Sequence, residues 1–392
     1  MRYRYRLAIN AYWAIPATFL MRATRPLIRI RICGIRSDRI GHFVADIAEH
    51  IGRENIKPAR TLNFYFLRGP ISNTQWELMV KRSSLRVLGD WLRYIDGWNR
   101  IIPGGGLHTM SSSLTESRDV EGLFQKFDCT IPFLPTEEAN CEAWLETKGW
   151  TKGEPFVVLH VRDSEYLKKT YPNYDWNYHS YRDSDIQTYL PAMEWLASHG
   201  VWVLRMGKSM ALPLQSNSHK IVDYAFDSGK SDLLDIWLFS NSSGIISTAS
   251  GLDYLGGVYR KPILFVNALP LVNLASYFDM TWVPKNLVWK ISGEILTLSE
   301  TIQNSYWDSL DYESNGIDVE DLSTEIITQS VIEFWQKTTN SQKNSAGATD
   351  TQRAFWAIFT ANHRFREGHK FVHKNARIGT FWLSTMGQRY LR

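Results

Sequence analysis

"FVVLHVRDSEYLKKTYPNYDWNYHSYRDSD" occupies residues 156–185. An unbroken apolar run, 156–159, passes through His160 into a stretch that holds Arg162, Arg182 and four Asp. A run with no polar alternation fits a strand buried on both faces, the condition of a central strand in a parallel sheet. Polar groups gathered where such a strand ends predict a ligand crevice, because parallel α/β sheets bind ligands beyond the carboxyl ends of their strands.

The pattern repeats downstream. A helix over 185–199, with Ser184 or Asp185 as its N-cap, precedes "VWVLRMG" (201–207); then come "KIVDY" (220–224), a helix over 231–241, "GIIST" (244–248), a helix over 251–259 and "PILFVN" (262–267). Upstream the same alternation appears in "LIRIRIC" (27–33), a helix from His42 to Ile51, "LNFYFL" (62–67), a helix near 74–82, "LRVLG" (85–89) and a helix from Asp90 to Ile102. Strand–helix alternation predicts parallel sheets covered by helices. At 392 residues the chain exceeds what one core accommodates. The expected division is an N-terminal Rossmann-like domain over 27–128 and a second over 156–340. The three-proline stretch 129–155 links them, with a basic segment before them (1–26) and another after (341–392).

Charge separates along the chain. Residues 1–40 carry nine Arg and only Asp38 as an acid, and residues 351–392 carry eight Lys or Arg against Glu367 alone. The intervening body has 27 basic and 38 acidic residues, a net of −11. An acidic body repels a wrapping polyanion, so nucleic acid is not expected as a partner, whereas a flat anionic membrane touching one basic edge is. The uncharged run Leu7–Met21, with Pro16 inside it, is too short to span a bilayer, and no small-residue cleavage site suggests a signal peptide. Segment 1–26 either lies in a membrane interface or packs on the protein as a basic helix; with 341–392 beside it, it would form one basic, aromatic edge. Cys33, Cys129 and Cys141 are too few and scattered for a disulfide framework, and no CxxC pair suggests zinc, so a reducing cytoplasm is the expected compartment.

Four strand ends in the second domain carry chemistry. They supply His160, Arg162 and Asp163; Arg205, Met206 and Gly207; Asp227 to Lys230; and Thr248, Ala249, Ser250 and Gly251, the last set opening a helix where a phosphate could sit. Singly, each has an ordinary explanation: Ser250–Gly251 is a cap and turn, Arg162–Asp163 an ion pair, His160 a satisfied core histidine. Together they predict a ligand site.

The combination "LHVRDSEYLKK", "YHSYRDSDIQTYLPAMEWLASHGVWVLRMGK" and "DLLDIWLFSNSSGIISTASGLDYLGGVYRKPILFVN" resembles a family of bacterial GT-B-type glycosyltransferases from surface-polysaccharide (O-antigen and capsule) gene clusters. The resemblance implies an α/β GT-B fold of two Rossmann-like domains facing across a cleft, the first binding a glycan or lipid-linked glycan acceptor, the second a nucleotide-sugar. With the cysteine usage and the two basic ends, the expectation is a cytoplasmic enzyme peripheral to the membrane, with no cofactor beyond the donor. His160-Val161-Arg162 echoes the His-x-Arg of distant fucosyltransferases.

Without a metal, Arg162, Arg182 and Arg205 would neutralise the leaving diphosphate. A base near the acceptor is expected from "GIRSDRIGHF", where Asp38 and His42 are the candidates and an Asp38 pair with Arg36 or Arg39 is the structural alternative. Asp183-Ser184-Asp185 matches a metal-binding DxD but sits at a helix start that favours such residues as caps. A nucleotide-sugar epimerase or hydrolase of the same plan, or a non-catalytic sugar-binding protein, is the alternative function.

Overall fold

A computed structural model describes residues 2–113, 115–170, 172–173, 175–339, 349–366 and 369–392. The chain forms two α/β units: residues 1–119 and 123–133 make the first, and residues 120–122 and 134–392 the second.

In the first unit, β1 (Arg29–Arg36) pairs in parallel with β2 (Thr61–Arg68) over eight residues, from Arg29 opposite Thr61 to Arg36 opposite Arg68. Single parallel bridges from Tyr65 to Val87 and from Ile32 to Thr109 flank this pair. The strand expected over 85–89 is thus one bridge: Ser83 and Ser84 precede it and Gly89 ends it, leaving too little chain for a ladder. Helices α1 (Arg2–Ile9) and α2 (Ala11–Ala23) precede β1, α3 (Ile40–Glu54) follows it, and α4 (Thr74–Lys81) and α5 (Leu92–Ile101) follow β2. α3 buries Phe43, Val44, Ile47, Ala48 and Ile51, the apolar face its periodicity predicts.

Segment 1–26 packs on this unit. Leu7, Ala14, Thr18 and Met21 face inward, and Arg22 caps the carbonyl end of α5, donating to Asn99 Oδ1 (2.9 Å) and to the carbonyls of Asn99, Ile102 and Pro103 (2.7–2.8 Å). A guanidinium there satisfies orphan carbonyls and meets the negative end of the helix dipole. The outward face of α2 is apolar: Tyr12, Phe19 and Leu20 are 54–80% exposed, beside exposed Pro16 and Ala23.

The second unit holds a seven-stranded sheet in the order β11-β8-β7-β6-β3-β4-β5, every pair parallel. Its strands are β3 (Phe156–His160), β4 (Trp202–Arg205), β5 (Ile221–Val222), β6 (Gly244–Ser247), β7 (Ile263–Val266), β8 (Met280–Val283) and, after the separate antiparallel pair β9 (Asn286–Trp289) and β10 (Ile317–Glu320), β11 (Arg377–Ile378). β4, β6, β7 and β8 are buried along their whole length, as unalternating apolar strands should be in a sheet covered on both faces. Helix Asp253–Val258 reaches the sheet through Gly256 and Gly257, where a Cβ would lie 2.2 Å from Ile245 Cδ1 and 2.0 Å from Phe278 Cε1. The expected α/β class, two Rossmann-like units built on parallel sheets, is present.

The linker and the basic tail differ from expectation. The linker 129–155 contains the helix Pro135–Glu146, with proline at its first turn and Glu137 accepting from the Leu134 amide at 2.8 Å; only Cys141 and Leu145 are buried on it, too sparse a pattern to show in sequence. The basic tail, expected to return to the N-terminal domain, is built into the second unit: β11 extends the sheet, the last carbonyl accepts from Ser299, and Phe355, Phe359, Trp382 and Tyr390 are core residues. Its aromatics are therefore packing, not an exposed edge. The expected boundary at 340/341 lies outside the described residues. Among the described residues no helix is long and apolar enough to cross a membrane.

Candidate functional site

The strand order of the second unit reverses between β3 and β6, so the chain leaves these neighbours in opposite directions and opens a crevice at their carboxyl ends. Arg162 and Thr248 meet there. The Arg162 amide donates to Thr248 Oγ1 (2.9 Å), the Thr248 amide donates to His160 O (3.2 Å), and Arg182 Nη2 donates to Ala249 O (2.7 Å). Ala249 holds φ +66° and Asn267, at the end of β7, φ +53°; left-handed non-glycine residues cost energy and cluster at ligand sites.

Two guanidinium groups share this crevice. Burial pushes Arg162 down to about 10, with the neighbouring Arg182 charge adding to the effect. The facing carboxylate, Asp183, stands 3.8 Å from Arg162 Nε and is itself raised by burial. Arg182 Nε has no partner among the described residues. Among the described residues, Arg162 and Arg182 thus meet carboxylate charge loosely, the Asp183 pair at 3.8 Å being the one ion pair between them. His160 is driven down to about 4, chiefly by burial, and is neutral at pH 7 with Nδ1 unpartnered among the described residues.

Other expected donor residues take structural roles. Arg205 is 1% exposed, pairs with Asp223 at 3.1 Å, donates to Leu212 O at 2.7 Å and stacks its guanidinium over Phe226, so its charge is committed within the fold. Asp163 accepts from the amides of Glu165 and Ala211 (both 3.0 Å), tying the β3 loop to the β4 loop. The Met206 amide donates to Leu159 O (2.7 Å), and Gly207 abuts the Met210 side chain. The Ser250 amide and hydroxyl both go to Asp253, which also accepts from Ser247 Oγ (2.9 Å); Gly251 follows, half-buried, ahead of a helix of only six residues. Asp253, pushed up to about 7 by burial, organises this turn. Asp185 caps its helix, accepting from Gln187 N at 2.9 Å.

Residues that sequence reasoning missed complete the rim. Asn267 donates to Ser184 Oγ (2.9 Å) and Tyr189 OH (3.3 Å) and accepts from Leu322 N (2.8 Å). Lys285, after β8, donates to Asp183 O (2.6 Å) and pairs with Asp321 (2.5 Å). Both follow apolar strands, the same signal that exposed the other strand ends. An open pocket of about 420 Å³ is lined by Tyr181, Asp183, Lys285, Tyr312 and Asp321, among others.

In the first unit, Asp38 forms a two-pronged pair with Arg36 (2.7 and 3.1 Å), and the hydrogen bond from Arg36 holds its carboxyl below the usual range. His42, one turn into α3, sends Nδ1 to Ser117 Oγ (2.7 Å), and Ser117 Oγ donates onward to Asp46 Oδ1 (2.7 Å). Burial lowers the His42 pKa, assisted by Arg36 and Arg39, so the ring is neutral at pH 7. Among the described residues no group binds its Nε2.

No family model and no curated protein matches the sequence. Among solved structures, the chain is similar to a glycosyl transferase of family 9 from Veillonella parvula (TM-score 0.45, 10% identity, 66% of this chain and 86% of that one). It is also similar to the E. coli ADP-heptose lps heptosyltransferase II (TM-score 0.35, 10% identity, 62% and 86%). A UDP-N-acetylglucosamine 2-epimerase structure from Listeria monocytogenes gives TM-score 0.29 and 7% identity over 80% of this chain and 97% of that one. Likenesses of this depth assign neither family nor activity to the chain.

Proposed function

We propose that this protein is a GT-B-type glycosyltransferase that moves a sugar from a nucleotide-sugar to a hydroxyl of a lipid-linked glycan in bacterial surface-polysaccharide synthesis. The observation that carries the reading is the pairing of Arg162, half-buried, with Arg182 at the switch point of the second sheet. Two guanidinium groups held in a partly dry crevice match the charge that grows on a departing diphosphate, and they can do so without a metal. His160, Thr248 and Ala249 shape that end of the crevice, while Arg205, Asp163 and Ser250 hold its walls.

In the first unit His42 is the base. Asp38 already shares its charge with Arg36, whereas His42 is neutral with Nε2 free of protein partners among the described residues. The acceptor hydroxyl gives its proton to Nε2 as its oxygen bonds to the anomeric carbon; the bond from that carbon to the phosphate oxygen breaks, and the nucleoside diphosphate leaves with the electron pair.

The outward face of α2 seats the enzyme on the cytoplasmic leaflet. Tyr12, Phe19 and Leu20 would enter the interface, with Arg4, Arg6 and Arg25 exposed around them and no acid before Asp38. The test of the whole reading is nucleotide-dependent thermal stabilisation, followed by product analysis with each stabilising nucleotide-sugar. Stabilisation with sugar transfer to an acceptor supports it, and transfer that survives excess EDTA supports a metal-free site. Donor epimerised or hydrolysed whatever the acceptor replaces it with the epimerase reading; binding without turnover leaves a sugar-binding protein; no stabilisation by any nucleotide refutes it.

A further inference from the structure

His42 is not an isolated ring. Asp46 lies one helical turn further along α3, 1% exposed, and Ser117 bridges the two from a loop 75 residues away in sequence. Ser117 is itself held in place: its amide donates to Ser113 Oγ (2.6 Å), and it keeps φ +60°, next to Glu116 at φ +54°. A serine fixed in a left-handed conformation is a backbone cost kept where surrounding structure demands that side-chain position.

We infer that Asp46, acting through the Ser117 hydroxyl, is a positioning residue that fixes the tautomer of His42 and supports its charge when it takes a proton. The relay has one consistent polarity when Asp46 is ionised. The carboxylate can only accept, so Ser117 O–H donates to it; the serine oxygen then accepts from His42 Nδ1–H, and the lone pair is left on Nε2. When Nε2 takes the acceptor's proton, the imidazolium forms a charge-assisted hydrogen bond into a relay that ends in a negative charge.

The charged groups around this relay are few. Arg36 and Arg39 lower the His42 pKa and Asp38 raises it; Glu49 raises that of Asp46, while Arg36 and the Ser113 and Ser117 hydroxyls lower it. Burial dominates for Asp46 and pushes it up to about 7, so the relay gains its charge as pH rises through neutrality.

This inference rests on His42 being the base, and the experiment separates the two. Nitrogen-15 correlation spectra of the full chain report the His42 tautomer without reference to activity, and turnover is measured from pH 5.5 to 8.5. Wild type should show Nδ1–H. Ser117→Gly removes the hydroxyl yet suits the left-handed backbone, so it should fold at least as well as wild type, lose the Nδ1–H preference and lower kcat roughly tenfold. Asp46→Asn should lose the rise in kcat near pH 7. If His42→Ala keeps full activity, the base assignment fails; if His42→Ala is inactive while Ser117→Gly and Asp46→Asn retain the wild-type tautomer and pH profile, the base stands and the relay is refuted.

Discussion

Replacing Arg162 by Met should make the empty protein more stable and the nucleotide-loaded protein less so. Arg162 sits 13% exposed by side chain, beside Arg182 and 3.8 Å from a half-buried carboxylate. Its pKa falls from 12.5 to about 10. A folded value depressed below the unfolded one means that the charged form is disfavoured by folding, and at pH 7 arginine is charged in both states, so the penalty is present in full. At about 1.4 kcal/mol per tenfold in proton affinity, it is about 3 kcal/mol. Met fills similar volume without charge, and among the described residues it gives up a weak 3.4 Å hydrogen bond to His179 O and the distant Asp183 pair. The melting temperature should therefore rise, roughly 6–12 °C if the whole penalty is recovered. A nucleoside diphosphate at a hundred times its dissociation constant stabilises wild type by about 2.7 kcal/mol, and this gain should largely vanish in the variant. Calorimetry with and without a panel of nucleoside diphosphates measures both. A variant that melts lower than wild type and still responds fully to nucleotide would show that Arg162 is a structural cation, and the donor site would have to be sought elsewhere.

Arg205→Ala should behave oppositely, costing about 3 kcal/mol or more because it removes the charge partner of Asp223, leaving that carboxylate only the Leu214 amide among the described residues, and opens the space beneath Phe226, with lost activity explained by lost fold in urea titrations. His42→Ala should lower kcat by roughly 10²-fold or more with nucleotide-induced stabilisation retained, and below the step that Asp46 gives near pH 7 the wild-type rate should fall further at a pH below 6.5, where a base of lowered pKa becomes protonated. Phe19→Ser with Leu20→Ser should weaken binding to anionic vesicles more than tenfold, each side chain contributing about 1.5 kcal/mol or more, while leaving the buried face of α2 intact; equal binding by the variant, or equal wild-type binding to neutral vesicles, would discard the membrane face.

Much of the second unit is legible in its strands, because a central parallel strand announces itself by unbroken burial and its ligand-facing residues follow at once. Arg162, Thr248 and Ala249 stand out in that way, and Asn267 and Lys285 carry the same signal. Direction of the side chain is not legible. Arg205 also ends an apolar strand, but its partner Asp223 stands at the end of the neighbouring strand, and only the fold shows that the pair closes. The first unit is less legible for a related reason: Asp38 and His42 share a short loop and helix start, and what separates them is an arginine two residues from one and a serine 75 residues from the other. Periodicity carries no information about pairings of that range.

The buried titratable groups of the first unit give opposing pH dependences that one substitution separates. Burial drives His50 down to about 4, so the folded ring stays neutral while the unfolded imidazole protonates near 6.5; folding therefore loses support as pH falls through that interval, about 2 kcal/mol by pH 5. Asp46 works in the other sense. Raised to about 7, it holds its proton when folded, so its support is complete below the unfolded value of 3.8 and is lost as pH rises to 7, again about 2 kcal/mol between pH 5 and 7. In wild type these two slopes oppose each other, while Asp96 and Asp119, also raised by burial, add to the sense of Asp46. Asp46→Asn removes the Asp46 slope alone: relative to wild type, the variant should lose about 2 kcal/mol of stability in urea on going from pH 7 to pH 5. Parallel pH profiles for the two proteins would mean that Asp46 is ionised throughout, and a carboxylate charged at pH 5 in that position would give the His42 relay its negative end over the whole working range rather than only above neutrality.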